Sequence, residues 1–127
     1  MKVTLTKHHG LGNDFLVLDL EQLDPQFVSG AEWSRHAREW CDRSTGIGAD
    51  GLLLLGRGEN NHLTMKLFNQ DGSSAEMSGN GIRCLAHAAY MHESRTGRVV
   101  YKVQTDGGER RVEVIPDDRP GNTVHAS

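Results

Sequence analysis

No stretch of this chain narrows its fold more than the run Ile82-Arg-Cys-Leu-Ala-His-Ala-Ala-Tyr90, which follows the triplet Gly79-Asn80-Gly81. Ile82, Leu85, Ala86, Ala89 and Tyr90 recur at helical spacing with Ala88 beside them, so the pattern predicts a mostly buried helix from Gly79 to about His92. Such a helix has to be covered on nearly every side. A chain of 127 residues supports one domain with one core, so the cover must come from the strands around it. Alternation or apolar runs mark these at Val3 and Leu5, Phe15 to Leu20, Leu52 to Leu55, His62 to Phe68, Val99 to Val103, and Val112 to Val114. Gly10-Leu-Gly12, the stretch Gly56 to Asn61 and Asp106-Gly-Gly108 separate them as hairpin turns. A second, amphipathic helix is expected over Ala31 to Asp42, with Trp33, Ala37, Trp40 and Cys41 on one face and Ser29 as a possible cap. Strands outnumber helices and hairpins join most neighbours. The expected class is therefore α+β, an antiparallel, strongly bent, barrel-like sheet wrapped around the central helix.

Composition excludes several functions. Lys and Arg number 14 against 17 Asp and Glu, a net charge of −3 with no basic block, so neither nucleic acid nor an anionic membrane is an expected partner. The longest apolar run, Leu52 to Leu55, falls far short of the ~20 residues of a membrane span. The alternating start MKVTLTKHHG does not resemble a signal peptide, and a cytoplasmic location is expected. Cys41 and Cys84 form no CxxC pair and are too few for a disulfide framework, so structural zinc is not expected. The scattered histidines read as ordinary core or surface residues, His87 and His92 falling on different helix faces. From Pro116 the sequence PDDRPGNTVHAS loses all period; the domain is expected to occupy 1–115 and residues 116–127 to form a linker-like tail.

Two glycine-rich segments invite a functional reading. Gly46-Ile-Gly-Ala-Asp-Gly51 matches G-x-G-x-x-G, but a dinucleotide needs that motif between a strand and the helix that follows it. Here the expected order is helix then strand, so the segment reads as a tight turn. The second segment, Asn69 to Cys84, places a polar loop and Gly79-Asn80-Gly81 at the start of the buried helix. Free amide N–H groups and the positive end of the helix dipole make an anion site there, suited to a carboxylate or a phosphate. The same residues also read as a plain turn with Ser78 as N-cap. Asn13, at one hairpin end, and Asn69, at the end of a strand, supply further polar groups, so a small acid is the expected ligand.

His9-Gly-Leu-Gly-Asn-Asp-Phe15, Gly46-Ile-Gly-Ala-Asp-Gly51 and the segment Phe68 to Cys84, FNQDGSSAEMSGNGIRC, occur in the order and at the separations that resemble the amino-terminal half of the diaminopimelate epimerase family. That resemblance implies one of two pseudo-symmetric halves with the active site between them. It implies a diamino dicarboxylic acid substrate of the lysine and cell-wall pathway (LL- to meso-diaminopimelate), and no cofactor. Carried over, Asn13 and Asn69 would bind substrate, and Gly79 and Asn80 would present N–H groups to its carboxylate. Inversion at an α-carbon needs one group to take the proton and another on the opposite face to return one. The family uses a cysteine from each half. At the first of these positions the chain has Ser78, a far weaker acid than a thiol. Cys84, about 140° around the helix from Gly79, is expected to pack. Gly51 stands where the family carries a glutamine-type contact. By the resemblance, the second cysteine and its half are missing, so this half by itself is expected to be inactive, and it needs that half or a second copy of itself as partner. Related alternatives are a proline racemase-like or phenazine-type isomerase with one-base chemistry, and a non-catalytic amino-acid-binding remnant.

Overall fold

A computed structural model describes residues 3–115 and 123–126, the last four as backbone. The strands are β1 (Thr6–His9), β2 (Asp14–Asp19), β3 (Gly51–Arg57), β4 (His62–Asn69), β5 (Ser74–Ala75), β6 (Val99–Thr105), β7 (Gly108–Ile115) and β8 (Thr123–Ala126); the helices are α1 (Pro25–Gly30), α2 (Trp33–Cys41) and α3 (Gly79–His92). The strands form one sheet in the order β1-β2-β3-β4-β6-β7-β8, with β5 paired to β4. This sheet curls around α3, which packs against β1, β2, β3, β4, β6, β7 and β8.

The apolar pattern explains the wrapping. Ile82, Leu85, Ala86, Ala89 and Tyr90 meet Phe15, Val17, Leu53, Leu55, Met65, Leu67, Tyr101, Val103, Val112 and Val114 in one core. Leu16, Leu18, Leu52 and Leu54 face the other way and pack on Ala37 and Cys41 of α2, with Trp33 and Trp40 at the margin. β2 and β3 are thus buried on both faces, which is why they read as unbroken apolar runs instead of alternating.

That double burial goes with a correction to the expected strand pairing. The barrel-like sheet around a central helix is present, but it is mixed: β2 pairs β3 and β4 pairs β6 in parallel, and the remaining pairings are antiparallel. Each parallel pair is joined by a helical crossover, α1 and α2 in the first case and α3 in the second, the kind of connection parallel strands require.

Boundaries differ in three places. The first strand begins at Thr6, since its register with β2 runs only from Thr6↔Val17 to His9↔Asp14. The helical region before β3 is two helices, and Ser29 lies inside α1, its hydroxyl donating to Gln26 O, rather than capping α2. Asp24, whose carboxylate accepts the Gln26 N–H at 2.8 Å, and Pro25 in the first turn start α1. Within the stretch expected to be a tail, 123–126 pair with β7 as a strand, whereas 116–122 and 127 lie outside the described residues. No helix among the described residues is long and apolar enough to cross a membrane.

Candidate active site

α3 begins where the polar loops gather. Ser78 is its N-cap, with extended backbone (φ −142°, ψ 127°), and its Oγ accepts the Gly81 N–H at 3.1 Å. The first intrahelical bond runs from Ile82 N–H to Ser78 O at 2.9 Å, so the amides of Gly79 and Asn80 stand ahead of the hydrogen-bonded ladder at the positive end of a 14-residue helix. Gly79 is exposed, and the space where a side chain would sit is open. The cap engages Gly81 and leaves the two preceding amides outside the helix ladder, so capping by Ser78 is compatible with an anion at those amides.

The turn between β1 and β2 is held against this helix end. Asn80 Nδ2 donates to Leu11 O and to Asn13 Oδ1, each at 3.0 Å. Gly10 permits the approach, since a Cβ there would come 2.8 Å from Asn80 Cβ. The Asn80 side chain thus braces the turn, while its backbone N–H belongs to the helix end. Asn13 in turn donates through Nδ2 to Asp50 Oδ2 at 3.4 Å. Ser78, Gly79, Asn80 and Asn13 are brought together in this way.

Asn69 stands apart from that cluster. It ends β4 opposite Gly51, and its Nδ2 donates to Ser73 Oγ at 3.1 Å. It lines an open cavity of about 630 Å³ with Arg38, Asp42, Asp50, Gln70 and Asp71. A second open cavity, about 420 Å³, is lined by His9, Gly10, Gly12, Asn13, Asp14, Arg43 and Asp50. Asp50 faces both, and so connects the Asn13 and Asn69 sides.

Three residues absent from the expected site are bonded to this cluster or line its cavities. Asp14 N–H donates to Asp50 Oδ2, and Asp50 N–H to Asp14 Oδ1, each at 3.0 Å. Arg43 donates to both oxygens of Asp14, at 3.2 and 2.9 Å, and to Asp50 Oδ1 at 3.2 Å. The guanidinium holds the Asp14 carboxyl well below the usual carboxylate range. In the sequence Asp14 and Asp50 appear only as members of two glycine-turn segments, and Arg43 stands outside both.

Other expectations find their physical basis here. The segment 46–51 is a helix-to-strand turn, its amides spent on the end of α2: Gly46 N–H on Asp42 O, Ile47 and Gly48 N–H on Trp40 O. Gly51 is buried, and a side chain there would press on Phe68 O at 3.0 Å and on Leu67 and Phe15 at 3.2 Å, so a glutamine would need the barrel to give way. Cys84 lies in the core, where burial pushes its thiol up to about 11. It packs, as expected.

Residues 5–126 match the family model described as diaminopimelate epimerase. Diaminopimelate epimerase 1 of Nostoc sp. is 40% identical over 119 residues, covering 92% of this chain and 41% of the relative. The diaminopimelate epimerase of Thermosynechococcus vestitus is 41% identical over 121 residues with the same coverage. The chain therefore spans about two-fifths of the length of these curated relatives. Among solved structures, a hydroxyproline epimerase from Agrobacterium vitis superposes with a TM-score of 0.64 at 14% identity, over 90% of this chain and 37% of that one. A phenazine biosynthesis protein of Bacillus anthracis gives 0.65 at 14% identity, over 93% and 38%; both share the fold. With the match running from Leu5 through β8 and these relatives at two-fifths identity, the chain belongs to the diaminopimelate epimerase family.

Proposed function

We propose that this chain forms one wall of a cofactor-independent amino-acid epimerase site of the diaminopimelate type. One observation carries the proposal: the Gly79 and Asn80 amides precede the hydrogen-bonded ladder of α3, with room for a side chain left empty at Gly79, beside a hydroxyl at position 78. In this reading the substrate's α-carboxylate sits on those amides, where the helix end stabilises the charge that builds up on it as the α-proton leaves. Asn13 and Asn69 hold the rest of a diamino dicarboxylic acid. Ser78 occupies the place of the group facing the α-carbon. Its Oγ already accepts the Gly81 N–H, so its remaining proton can be donated to the substrate, but a hydroxyl with no activating partner is a poor base. Inversion would then need a second acid–base group on the opposite face, supplied by a carboxy-terminal half or by a second copy of the chain.

Solvent deuterium exchange at the α-carbon of LL- and meso-diaminopimelate tests this. The expected result for the isolated chain is binding without inversion. With a carboxy-terminal half added, Ser78→Cys should gain exchange with inversion. Inversion by the isolated chain would overturn the two-wall proposal. Binding with no exchange under any condition favours the second reading, an amino-acid-binding remnant, for which the prior engagement of Ser78 Oγ as a cap is the supporting observation.

A further inference from the structure

The knot of Asp14, Arg43 and Asp50 has more than a surface ion pair in it. Asp14 and Asp50 exchange backbone–carboxylate hydrogen bonds in both directions at 3.0 Å, which forces two like charges together at the junction of the β1–β2 turn and the loop before β3. Lys7 Nζ lies 3.4 Å from Asp14 Oδ2, but Arg43 is the cation bonded to both carboxylates, in a planar fork that a lysine does not reproduce. From Asp50 the bonding continues through Asn13 to Asn80, in the first turn of α3, and Arg83 closes the far end with Nη1 at 3.4 Å from Asn80 Oδ1. Asp50 O also accepts the Gln70 N–H at 3.1 Å, next to Asn69.

We infer that Arg43 is a positioning residue for ligand binding: by holding Asp14 and Asp50 together it fixes the Asp50 carboxylate under Asn13, and through Asn13 it sets the Asn80 side chain and the first turn of α3. The inference deepens the function proposed above and rests on it for the nature of the ligand. Arg43 touches no reacting group in this scheme. Its side chain is half exposed, but its removal leaves the like charges of Asp14 and Asp50 in contact, so the melting temperature should fall by a few degrees while the fold is kept. What it should change is the geometry of the loops that meet the ligand, where small displacements weigh heavily.

Two measurements on the whole chain separate the inference from the proposed function. The first needs no ligand: the carboxamide NH2 signals of Asn13 and Asn80 in 15N-resolved NMR should be dispersed and slowly exchanging in wild type, and move towards free-amide positions in Arg43→Met. Unchanged signals in Arg43→Met would overturn the inference. The second is titration with meso-diaminopimelate. Arg43→Met should bind about tenfold more weakly, Arg43→Lys should fall between, and Arg43→Met with Asp50→Asn, which relieves the like-charge contact while keeping an oxygen for Asn13 and Asp14, should recover to within about threefold of wild type. Equal affinity of Arg43→Met and wild type, or no recovery in the double variant, would also overturn it. If wild type binds no diaminopimelate, it is the proposed function that fails, and the carboxamide signals alone decide the inference. If Arg43→Met does not fold, the Lys variant and the double variant decide, by the same signals.

Discussion

At Ser78 one oxygen caps a helix and borders a site, and the two roles come apart under substitution. Ser78→Ala deletes the acceptor of the Gly81 N–H and should lower stability by about 1 kcal/mol, read as a shift of the urea midpoint. Ser78→Cys should place a thiol at the positive end of α3, where its pKa falls below the ~8.5 of a free cysteine. Thiolate absorbance at 240 nm would report this cleanly, because burial pushes Cys41 and Cys84 up to about 11. A single titration below 8.5, absent from wild type, is the expected result; a midpoint above it would mean the helix end does not stabilise an anion at position 78. The residues of this cluster are legible in the sequence to the extent that they are local. Ser78, Gly79 and Asn80 announce themselves as a cap and a glycine-flanked helix start, and Asn13 as a turn residue. Asp50 and Arg43 do not, because their bonds to residues 13 and 14 bridge separations of 29 to 37 positions, and no short-range pattern encodes such pairings.

Among the elements, β1 is the strand whose hold on α3 depends on pH. It is an edge strand paired only to β2 among the described residues, and His8 turns inward from it to meet His87 of α3 edge to face, ring centroids 5.6 Å apart. His8 Nε2 lies 2.9 Å from Thr6 Oγ1. Burial, reinforced by His87, His92 and His9, brings the His8 pKa down from 6.5 to about 4, and burial also lowers that of His87. The folded state thus favours neutral His8, and between pH 6.5 and about 4 the unfolded chain binds more protons. The stabilisation is complete above pH 6.5 and is lost as pH falls towards 4. It amounts to about 3 kcal/mol. Urea midpoints measured across that range should fall with acidity in wild type and fall less in His8→Gln; equal slopes would rule out His8 as the source. Element by element, the amphipathic and all-apolar helices and the hairpins of β3–β4 and β6–β7 follow from periodicity alone. The parallel pairings do not follow from the turns. For the β2–β3 pair the signal is the continuous runs Phe15 to Leu18 and Leu52 to Leu55, whose lack of alternation marks strands covered on both faces, by α3 on one side and α2 on the other.

For the whole molecule, the question is what meets the open end of the barrel. Leu11 is 82% exposed and Met77 40%, large apolar side chains on two loops at the start of α3. Leu11 O accepts from Asn80, and Met77 directly precedes Ser78 and packs near Gly107 in the β6–β7 turn. Exposed apolar groups beside the start of α3 should be buried against a further protein surface, such as a supplied carboxy-terminal half or another copy. Sedimentation velocity over a hundredfold concentration range, alone and with that half supplied, measures the association. Leu11→Ser with Met77→Ser should weaken it by about tenfold or more, from the lost apolar burial, without lowering the melting temperature, since neither side chain is in the core. Ile115 is also 40% exposed but ends β7, whose other end lies by Met77. Ile115→Ser should therefore leave association unchanged if contact is confined to the site end. A chain that stays monomeric throughout and ignores the supplied half would show that these loops are not an interface, and the second acid–base group would then have to be sought within the chain itself.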